Sequence, residues 1–465
     1  MRYLTLFALL AAMLAAPAAA QSLTQATNDG RFNEDVYPSV SDDGNHIVWI
    51  KESQSKSDLY VMDAWNLTPT KLTTIGTITF PGGAAVSGDG KQIAFVTGNN
   101  LWMLPTTGGT PKQITNFTGT LAAMRDVALT RDGSMVGVTV FDSSTKIFDY
   151  AVVDTKTSSV RLVTGATAAN DYLYGTMSGD GSLVAFTAKR GYQNSHVFLV
   201  ATDGTNLRRA STLNVRAYTY PSLDYAATRC AFEVLVGADY EVYTVRTDGT
   251  GLVNVSQNSA GKDASPKLSA DGERVVWKSQ TATAKYGDVY MAYPDGSGLR
   301  QAIAINGLPP ATSNASLAVN GDGSIVVYAS NYPGGYYDLW VWMDRLTRSA
   351  ASAPKPGNQV ALILQDPTMD GGSYLMRSAF SRAPGIKLPG VGIVPLTPDA
   401  LFWLSGVAPT VFVNYAGTLN AKGQAGAFIN VPNEPALKGF GFYTAAAAVK
   451  ASKTTITNPI LITIE

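Results

Sequence analysis

The chain has 465 residues, with 35 basic and 35 acidic side chains, and so carries no formal net charge at pH 7. This balance, without a block of Lys and Arg, argues against a nucleic-acid partner, because binding to phosphates needs clustered positive charge. Only 15% of residues are charged, and there are 44 glycines. The composition predicts an all-β protein with many turns, long enough for two or three compact units.

The N-terminal segment has the layout of a secretory signal peptide. An apolar run from Leu4 to Ala16 is followed by small residues up to Ala20. The run is shorter than the roughly 20 residues of a membrane-spanning helix, so we expect residues 1–20 to be removed by cleavage. No later apolar run is long enough to span a membrane. The mature protein is expected in the periplasm or outside the cell, without a transmembrane segment.

A ten-residue pattern recurs seven times, at spacings of 43 to 51 residues. The copies begin at residues 40, 86, 129, 177, 223, 268 and 319. Each is followed by an aromatic-aliphatic run and then by a short run ending near Thr or Ser, which is weakest in the last copy, at residue 346. Each unit therefore predicts four short strands, the pattern of a β-propeller blade.

Seven such units predict a seven-bladed β-propeller within residues 21–350, with the repeats starting near residue 31. Six blades is the alternative if an outer copy is irregular. The segment SLTQAT, residues 22–27, resembles a displaced fourth strand that completes the last blade and closes the ring.

Six of the seven copies contain an Asp-Gly pair before an apolar strand. The acids are Asp43, Asp89, Asp132, Asp180, Asp271 and Asp322, and the fifth copy has Ala226 and Ala227 instead. Glycine accepts positive φ and the carboxylate can accept backbone N–H groups, so the pair suits a hairpin turn. A calcium site needs more oxygen ligands in one loop than this pattern offers. We interpret the pairs as turns.

Repeats of Ser-x-Asp-Gly, an apolar strand, and then Asp-x-Tyr or its relatives resemble the TolB-type, WD-repeat-like β-propellers of bacterial envelopes. The resemblance covers roughly residues 37–349. It implies the propeller fold. Because propellers of this type serve as docking platforms, enzyme gates and catalytic domains, it implies no single activity.

Residue types for catalysis are scarce. The chain contains two histidines, His46 and His196, and a single cysteine, Cys230. G-x-S-x-G is absent, and two histidines are too few for a multi-histidine metal centre. His46 is expected to be exposed in the first hairpin turn, and Cys230 to be a buried apolar residue. We expect no metal and no cofactor, and an enzyme is the less favoured interpretation.

One face of blades four and five is the best candidate for a ligand site. Loops that enter the first strand and loops that join the second and third strands share this face, and they are rich in aromatic and cationic residues. The candidate ligand-binding residues are Tyr172, Tyr174, Lys189, Arg190, Tyr192, His196, Arg216, Tyr218 and Tyr220. Aromatic rings can stack on sugars, and Lys or Arg can pair with uronate or sulfate groups.

Three functions remain open, one of them a role for the tail domain as a surface or matrix attachment module. The favoured one is a non-catalytic binding or scaffold protein, expected to be monomeric, whose propeller face docks an envelope protein or a polysaccharide. The alternative is a polysaccharide lyase on acidic polysaccharide, in which a Tyr-His-Arg set abstracts a proton and neutralises the acid.

A second domain follows a linker rich in Ala, Pro and Ser at residues 349–359. Six or seven strand-like runs predict a small β-sandwich over residues 351–465. This region resembles the C-terminal part of predicted secreted proteins of environmental bacteria, which implies no catalytic role. Phe402, Trp403 and Phe412 are expected to lie in its core.

Overall fold

The computed structural model of the chain describes most of residues 22–464. Outside the described residues lie 1–21, 29–32, 54–55, 65–66, 74–82, 165–169, 191–194, 212, 214–215, 218–219, 238, 258–260, 282–287, 297–300, 303–316, 331–335, 344–345, 349–353, 366–368, 381–385, 389–391, 395, 397, 422, 451–452, 458–459 and 465. Strands make up 56% and helices 3%, so the protein is all-β as predicted. The chain divides into two compact units, one of residues 24–341 and one of residues 1–23 and 342–465.

Within the described part of residues 22–343, the strands form seven sheets, which we call repeats 1 to 7. The first strand of the chain is β1 (Ser22–Gln25). Repeat 1 contains β2 (Asn33–Val40), β3 (Ile47–Ser53), β4 (Lys56–Met62) and β5 (Thr70–Lys71). Repeat 2 contains β6 (Ala84–Val86), β7 (Gln92–Thr97), β8 (Asn100–Pro105) and β9 (Lys112–Gln113). Repeat 3 contains β10 (Leu121–Leu129), β11 (Met135–Asp142), β12 (Ile147–Asp154) and β13 (Val160–Leu162).

The remaining repeats follow the same antiparallel order. Repeat 4 contains β14 (Asn170–Met177), β15 (Leu183–Arg190), β16 (His196–Ala201) and β17 (Arg208–Arg209). Repeat 5 contains β18 (Arg216–Ala217), β19 (Ser222–Leu223), β20 (Arg229–Val236), β21 (Asp239–Arg246) and β22 (Val253–Asn254). Repeat 6 contains β23 (Gly261–Leu268), β24 (Val275–Thr281), β25 (Asp288–Ala292) and β26 (Gln301–Ala302). Repeat 7 contains β27 (Leu317–Val319), β28 (Ile325–Ser330), β29 (Asp338–Met343) and β1.

Neighbouring repeats share hydrophobic cores. Val96 of β7 packs in one cluster with Val136 and Val138 of β11, and all three are fully buried. Each fully buried Val stabilises the fold by about 1.5–3 kcal/mol relative to an exposed one. Several second strands are buried along their whole length, as in β28, where all six residues are buried. Cys230 belongs to such a core, as predicted, and burial raises the pKa of its thiol.

The Asp-Gly pairs form hairpin turns between the first and second strands. In repeat 4 the Asp180 carboxylate accepts hydrogen bonds from the Ser178 hydroxyl at 2.6 Å and from the Ser182 backbone N–H at 2.9 Å. Repeat 5 places the acid two residues earlier, where Asp224 accepts from the Thr228 N–H at 2.8 Å. The same turn is therefore held by a carboxylate at a different position, which agrees with a structural role.

Backbone hydrogen bonds join these seven turns into one closed circuit. Each bond runs from an N–H in one repeat to a carbonyl in the next, and the last repeat bonds back to the first. The donor and acceptor pairs are Asp42 to Gly88, Asp89 to Arg131, Arg131 to Gly179, Asp180 to Tyr225, Tyr225 to Ala270, Asp271 to Gly321 and Gly321 to Asp42, at 2.8–3.0 Å. We call this circuit the turn ring.

The N-terminal strand completes repeat 7. β1 lies beside β29, and the Leu339 N–H donates to the Thr27 hydroxyl at 2.9 Å. The Gln25 side chain donates to the Asp338 carboxylate at 2.9 Å. The segment at residue 346, interpreted as a weak seventh copy of the short strand, instead forms β30 (Leu346–Arg348) and pairs with the first long strand of the second unit. That prediction was wrong because β1 already occupies the edge of β29.

The second unit contains two larger sheets and a small hairpin. One sheet joins β30, β31 (Gln359–Gln365), β37 (Gln424–Asn430) and β35 (Phe412–Val413). The other joins β36 (Ala416–Thr418), β32 (Ser373–Ala379), β38 (Gly441–Lys450), β39 (Lys453–Ile456) and β40 (Ile460–Thr463). The hairpin is β33 (Ile386–Leu388) with β34 (Gly392–Val394). Leu362 of β31, Ile429 of β37, Met376 of β32 and Ala446 of β38 share one core.

This unit departs from the sequence prediction in two respects. Its described residues hold ten strands after β30 rather than six or seven, together with α1 (Ala400–Leu404) and a 3-10 helix at Pro435–Leu437. Phe402 and Phe412 are buried as predicted, but the side chain of Trp403 is 65% exposed. On a helix, consecutive residues point in different directions, so only one of Phe402 and Trp403 can face the core.

Candidate functional site

The first strands of the repeats carry a strained residue at one recurring position. Five non-glycine residues there have φ of 54–56°, a left-handed conformation that costs L-residues roughly 1–2 kcal/mol. They are Tyr37, Asp126, Tyr174, Tyr220 and Ser265, each six residues before the turn acid or, in repeat 5, before Ala226. Repeat 2 has Gly83 at this position, and the corresponding residue of repeat 7 lies outside the described residues. Such strain persists where the surrounding structure enforces it, and it is concentrated at functional sites.

The strand pairing shows how the strain arises. The register of the first strand against the second shifts between Val36 and Ser39 in repeat 1, and equivalent shifts occur in repeats 3, 4 and 6. These shifts are β-bulges, which redirect a side chain from the regular alternation of the strand. In repeat 5, Tyr220 lies instead in the break between β18 and β19. The strained residues of repeats 3 to 6 and their neighbours form a polar group that we call the central cluster. Its members are Arg125, Asp126, Tyr174, Tyr220, Glu233, Ser265, Lys267 and Lys278.

Aromatic rings and a guanidinium form one side of the central cluster. The Tyr174 and Tyr220 rings lie 4.2 Å apart between centroids, and the Arg125 guanidinium lies over the Tyr174 ring at 5.1 Å. Arg125 Nε is 3.5 Å from Asp126 Oδ2, an ion-pair distance. Among the described residues this buried Nε has no hydrogen-bond acceptor. The guanidinium is therefore held beside the Asp126 carboxylate.

Asp126 is fixed from several directions. Its carboxylate accepts a hydrogen bond from the Thr139 hydroxyl at 2.8 Å, and its backbone carbonyl accepts one from Tyr150 at 3.3 Å. The Tyr150 ring lies against Gly137 and Gly175, where a Cβ would come within 2.3 Å of its atoms. Those two glycines therefore make room for the tyrosine that holds the bulge. Desolvation raises the pKa of Asp126, and the nearby Arg125 partly opposes this.

Two lysines and a glutamate form the other side. Glu233 is 6% exposed, and its Oε2 accepts a hydrogen bond from the Ser265 N–H at 2.9 Å. Burial raises the pKa of Glu233 to about 8 and lowers the pKa of Lys278 to about 8. Burial also lowers the pKa of Lys267, while the Asp126 charge opposes that shift. The members of the central cluster come from repeats 3 to 6, and the Asp126 charge of repeat 3 reaches the Lys267 ammonium of repeat 6 strongly enough to affect its pKa.

The arrangement is suited to binding an anion that also presents a flat, hydroxylated face. The central cluster contains three cationic side chains and two carboxyl groups. Because the pKa of Glu233 is raised, part of the Glu233 population is neutral at pH 7. The tyrosine pair supplies ring surface and hydroxyl groups. No group of three or more His, Cys, Asp or Glu that could hold a metal ion occurs in the part of the chain that the structure describes.

Two of the nine residues predicted for the ligand site, Tyr174 and Tyr220, lie in the central cluster. Tyr192 and Tyr218 are outside the described residues. Four others are placed by their backbone alone: Tyr172 opposite Ala188, Lys189 opposite Asp171, Arg190 opposite Asn170, and Arg216 opposite Leu235.

The two histidines do not join the central cluster in any contact that the structure describes. His196 is half-buried at the start of β16 and meets Phe198 edge-on at 6.5 Å. Desolvation and then Arg209 lower its pKa. His46 is half-buried rather than exposed, because Gly90 of the next repeat packs against its ring.

Sequence reasoning missed Arg125, Asp126, Glu233, Ser265, Lys267 and Lys278. A signal for two of them was present in the alignment of the repeats. Seven residues after the turn acid, other copies have Ile50, Val96 and Ala329, whereas two copies have Glu233 and Lys278. A charged residue in an otherwise buried apolar strand indicates a polar partner nearby.

Comparison with known proteins gives a fold but no family. No protein-family model matches the chain, and no curated protein matches it. Among solved structures, an oligogalacturonate lyase from Vibrio parahaemolyticus is 13% identical, covers 70% of this chain and 95% of its own, and has a TM-score of 0.57. A puromycin-hydrolysing peptidase from Mycobacterium tuberculosis is 13% identical over 75% of this chain and 60% of its own, with a TM-score of 0.51.

TolB from Acinetobacter baumannii is 16% identical, covers 63% of this chain and 78% of its own, and has a TM-score of 0.41, too low to support an argument. At these identities the first two likenesses show the fold alone, which is that of a β-propeller. In the described residues no helix is both long enough and apolar enough to cross a membrane.

Proposed function

We propose that this protein is a non-catalytic binding protein that takes up an acidic sugar ligand in the central cluster of a seven-bladed β-propeller. The central cluster is the observation that carries the proposal, because four repeats depart there from their shared pattern and bring charged groups together. A uronate matches it: the carboxylate pairs with Arg125 or the lysines, and the ring stacks on the tyrosines.

The turn ring supports seven blades, since the bonds return from repeat 7 to repeat 1 after passing through each repeat once. The pairing of β1 with β29 supports closure of the ring by the N-terminal strand. The shared core of the two tail sheets supports a β-sandwich as the second domain, within residues 351–465.

Calorimetric titration with digalacturonate tests the binding proposal, and its fully methyl-esterified form is the matched neutral ligand. We expect the acid to bind and the ester to bind at least about tenfold more weakly, because a charge-assisted hydrogen bond contributes about 1.5–3 kcal/mol. Arg125→Met should cause a similar loss for the acid. Arg246→Met changes an exposed arginine at the end of β21 and should leave affinity unchanged. Equal binding of acid and ester, or undiminished binding by Arg125→Met, would contradict the proposal.

A second candidate function is β-elimination on an acidic polysaccharide. The observation in its favour is Lys278, whose lowered pKa of about 8 suits a general base, in the same cluster as Arg125, which can neutralise a carboxylate. Incubation with a panel of uronate polymers should then give unsaturated, ultraviolet-absorbing products that Lys278→Met fails to form. A folded wild-type protein that gives no such product with any polymer rules out this function.

We also propose that the signal peptide directs the protein to the periplasm or the medium, where an acidic polysaccharide or a protein carrying it is the partner. Cell fractionation with N-terminal sequencing tests this. A mature N-terminus at Gln21 in the periplasm or medium is expected, and an uncleaved protein in the cytosol would contradict it.

A further inference from the structure

Three side chains of the turn ring, from repeats 1, 3 and 5, contact one another. The residue just before each turn acid, or before Ala226 in repeat 5, lies in the ring: Asp42, Gly88, Arg131, Gly179, Tyr225, Ala270 and Gly321. Asp42 Oδ2 lies 3.2 Å from Arg131 Nε, and the Arg131 guanidinium lies 5.3 Å from the centre of the Tyr225 ring. These three residues come from repeats 1, 3 and 5. We call them the plug.

Two glycines of the ring lie directly against the plug. A Cβ on Gly88 would lie 2.6 Å from Asp42 Oδ2 and 2.9 Å from Arg131 Cγ. A Cβ on Gly179 would lie 2.6 Å from Tyr225 Cδ2. Interatomic distances this short are not tolerated, so the ring has room for the three plug side chains only because these positions lack their own. Desolvation raises the pKa of Asp42, as expected for a carboxyl group shielded from water, and Arg131 opposes the shift.

The plug and the central cluster lie at different depths along the same strands. In repeats 1 and 3 to 6 the ring residue follows the strained residue by five positions, a span of at most roughly 17 Å. A sugar chain that left the central cluster through the turn ring would have to displace the plug, so the opposite end of the first strands is the expected entrance.

We propose that the central cluster is a one-ended site that takes the acidic terminal unit of a sugar chain and does not accept an internal unit. The inference rests on the proposed function. An internal unit has chain leaving it in both directions, and the plug blocks one of them. A terminal unit needs only one exit. The Arg125 guanidinium and the lysines of the cluster then pair with the carboxylate of that unit.

Calorimetry with two esterified trigalacturonates tests this in the wild-type protein. One carries methyl esters on both terminal units and the other on the middle unit only. We expect the middle-ester trimer to bind as the unmodified trimer does, and the terminal-ester trimer to bind at least about tenfold more weakly. Long polygalacturonate should bind no more than one protein per free chain end.

The outcomes test the one-ended site and the proposed binding function separately. Loss of affinity with the middle ester, or several proteins bound per chain, overturns the one-ended site while leaving the proposed binding function in place. No heat with any trimer, from protein whose folding is verified by its unfolding transition, overturns the proposed function and this inference together. Retained affinity of the terminal-ester trimer overturns the one-ended site alone.

Discussion

The turn ring and the central cluster are built on the same strands, but the repeats share their side chains in the turn ring and differ in them in the central cluster. In the turn ring the copies agree: Ser178 and Ser269 donate to Asp180 and Asp271 in the same way, at 2.6 Å in both repeats. In the central cluster the copies share the backbone bulge but differ in side chain, so that the same left-handed position holds an acid, two tyrosines or a serine.

This difference distinguishes residues that stabilise the fold from residues that could bind a ligand. A repeated side chain can be explained by a repeated structural need, as when a turn needs a carboxylate at its start. At the left-handed position the backbone conformation is repeated but the side chain varies. A structural need alone would favour glycine there, because glycine adopts this conformation with less strain. The varied residues are therefore the ones to which a ligand should respond.

Glu233→Gln should give the greatest change in stability and should act through pH. The folded pKa of about 8 lies above the ordinary value of 4.5, so the folded state keeps a proton that the unfolded state loses in this window. The free energy of unfolding of the wild type should therefore fall as pH rises from 5 to 8. One pKa unit corresponds to about 1.4 kcal/mol, so the free energy of unfolding of the wild type should fall by several kcal/mol over this range. Glu233→Gln has no ionisable group at this position and should not show this fall.

Urea unfolding at pH 5 and at pH 8 measures this difference. The amide introduced by Glu233→Gln keeps an oxygen that can accept the Ser265 N–H, so the hydrogen bond is preserved. Glu434→Gln, at an exposed carboxylate in the tail unit, is the matched control and should leave the pH dependence as in the wild type. Identical pH profiles for Glu233→Gln and the wild type would show that this carboxyl group is ionised in the fold.

Gly321→Ala tests the turn ring. A Cβ there would lie 2.8 Å from the Asp42 carbonyl oxygen and 3.0 Å from its Cα, which are backbone atoms of repeat 1. We expect the free energy of unfolding to fall by about 1–3 kcal/mol. Gly426→Ala is the control, because its Cβ would meet no atom within 4 Å. If both variants unfold at the same urea concentration, repeats 7 and 1 do not pack as closely as the ring requires.

Ala227→Gly should produce the smallest change, an increase in stability of about 0.5–1 kcal/mol. Ala227 replaces the turn glycine of the other copies and has φ of 55°, a conformation that glycine adopts without strain. The reverse change in repeat 4, Gly181→Ala, should destabilise, since its Cβ would lie 2.0 Å from Met135 Cε. Thermal unfolding of the two variants compares them, and a lower midpoint for Ala227→Gly would contradict the interpretation of repeat 5.

The sequence predicted the repeats well because their positions are defined by local chemistry. The Asp-Gly turns, the buried strands and the pairing of residues 22–27 with the last repeat can all be inferred from short patterns. The central cluster could be predicted only in part. The concentration of aromatic residues on one face predicts Tyr174 and Tyr220. A β-bulge, however, changes the direction in which a strand residue points, and no sequence motif marks it. The electrostatic effect of Asp126 in repeat 3 on Lys267 in repeat 6 depends on how distant repeats are arranged in space, which no short pattern encodes.

An experimental structure of the protein with digalacturonate would test whether the central cluster binds the ligand. We expect one carboxylate within hydrogen-bond distance of the Arg125 guanidinium or of Lys267 or Lys278, the sugar ring against Tyr174 or Tyr220, and the plug unchanged. A ligand bound on the outer strands, at the turn ring or on the tail unit would contradict the proposal that the central cluster is the binding site.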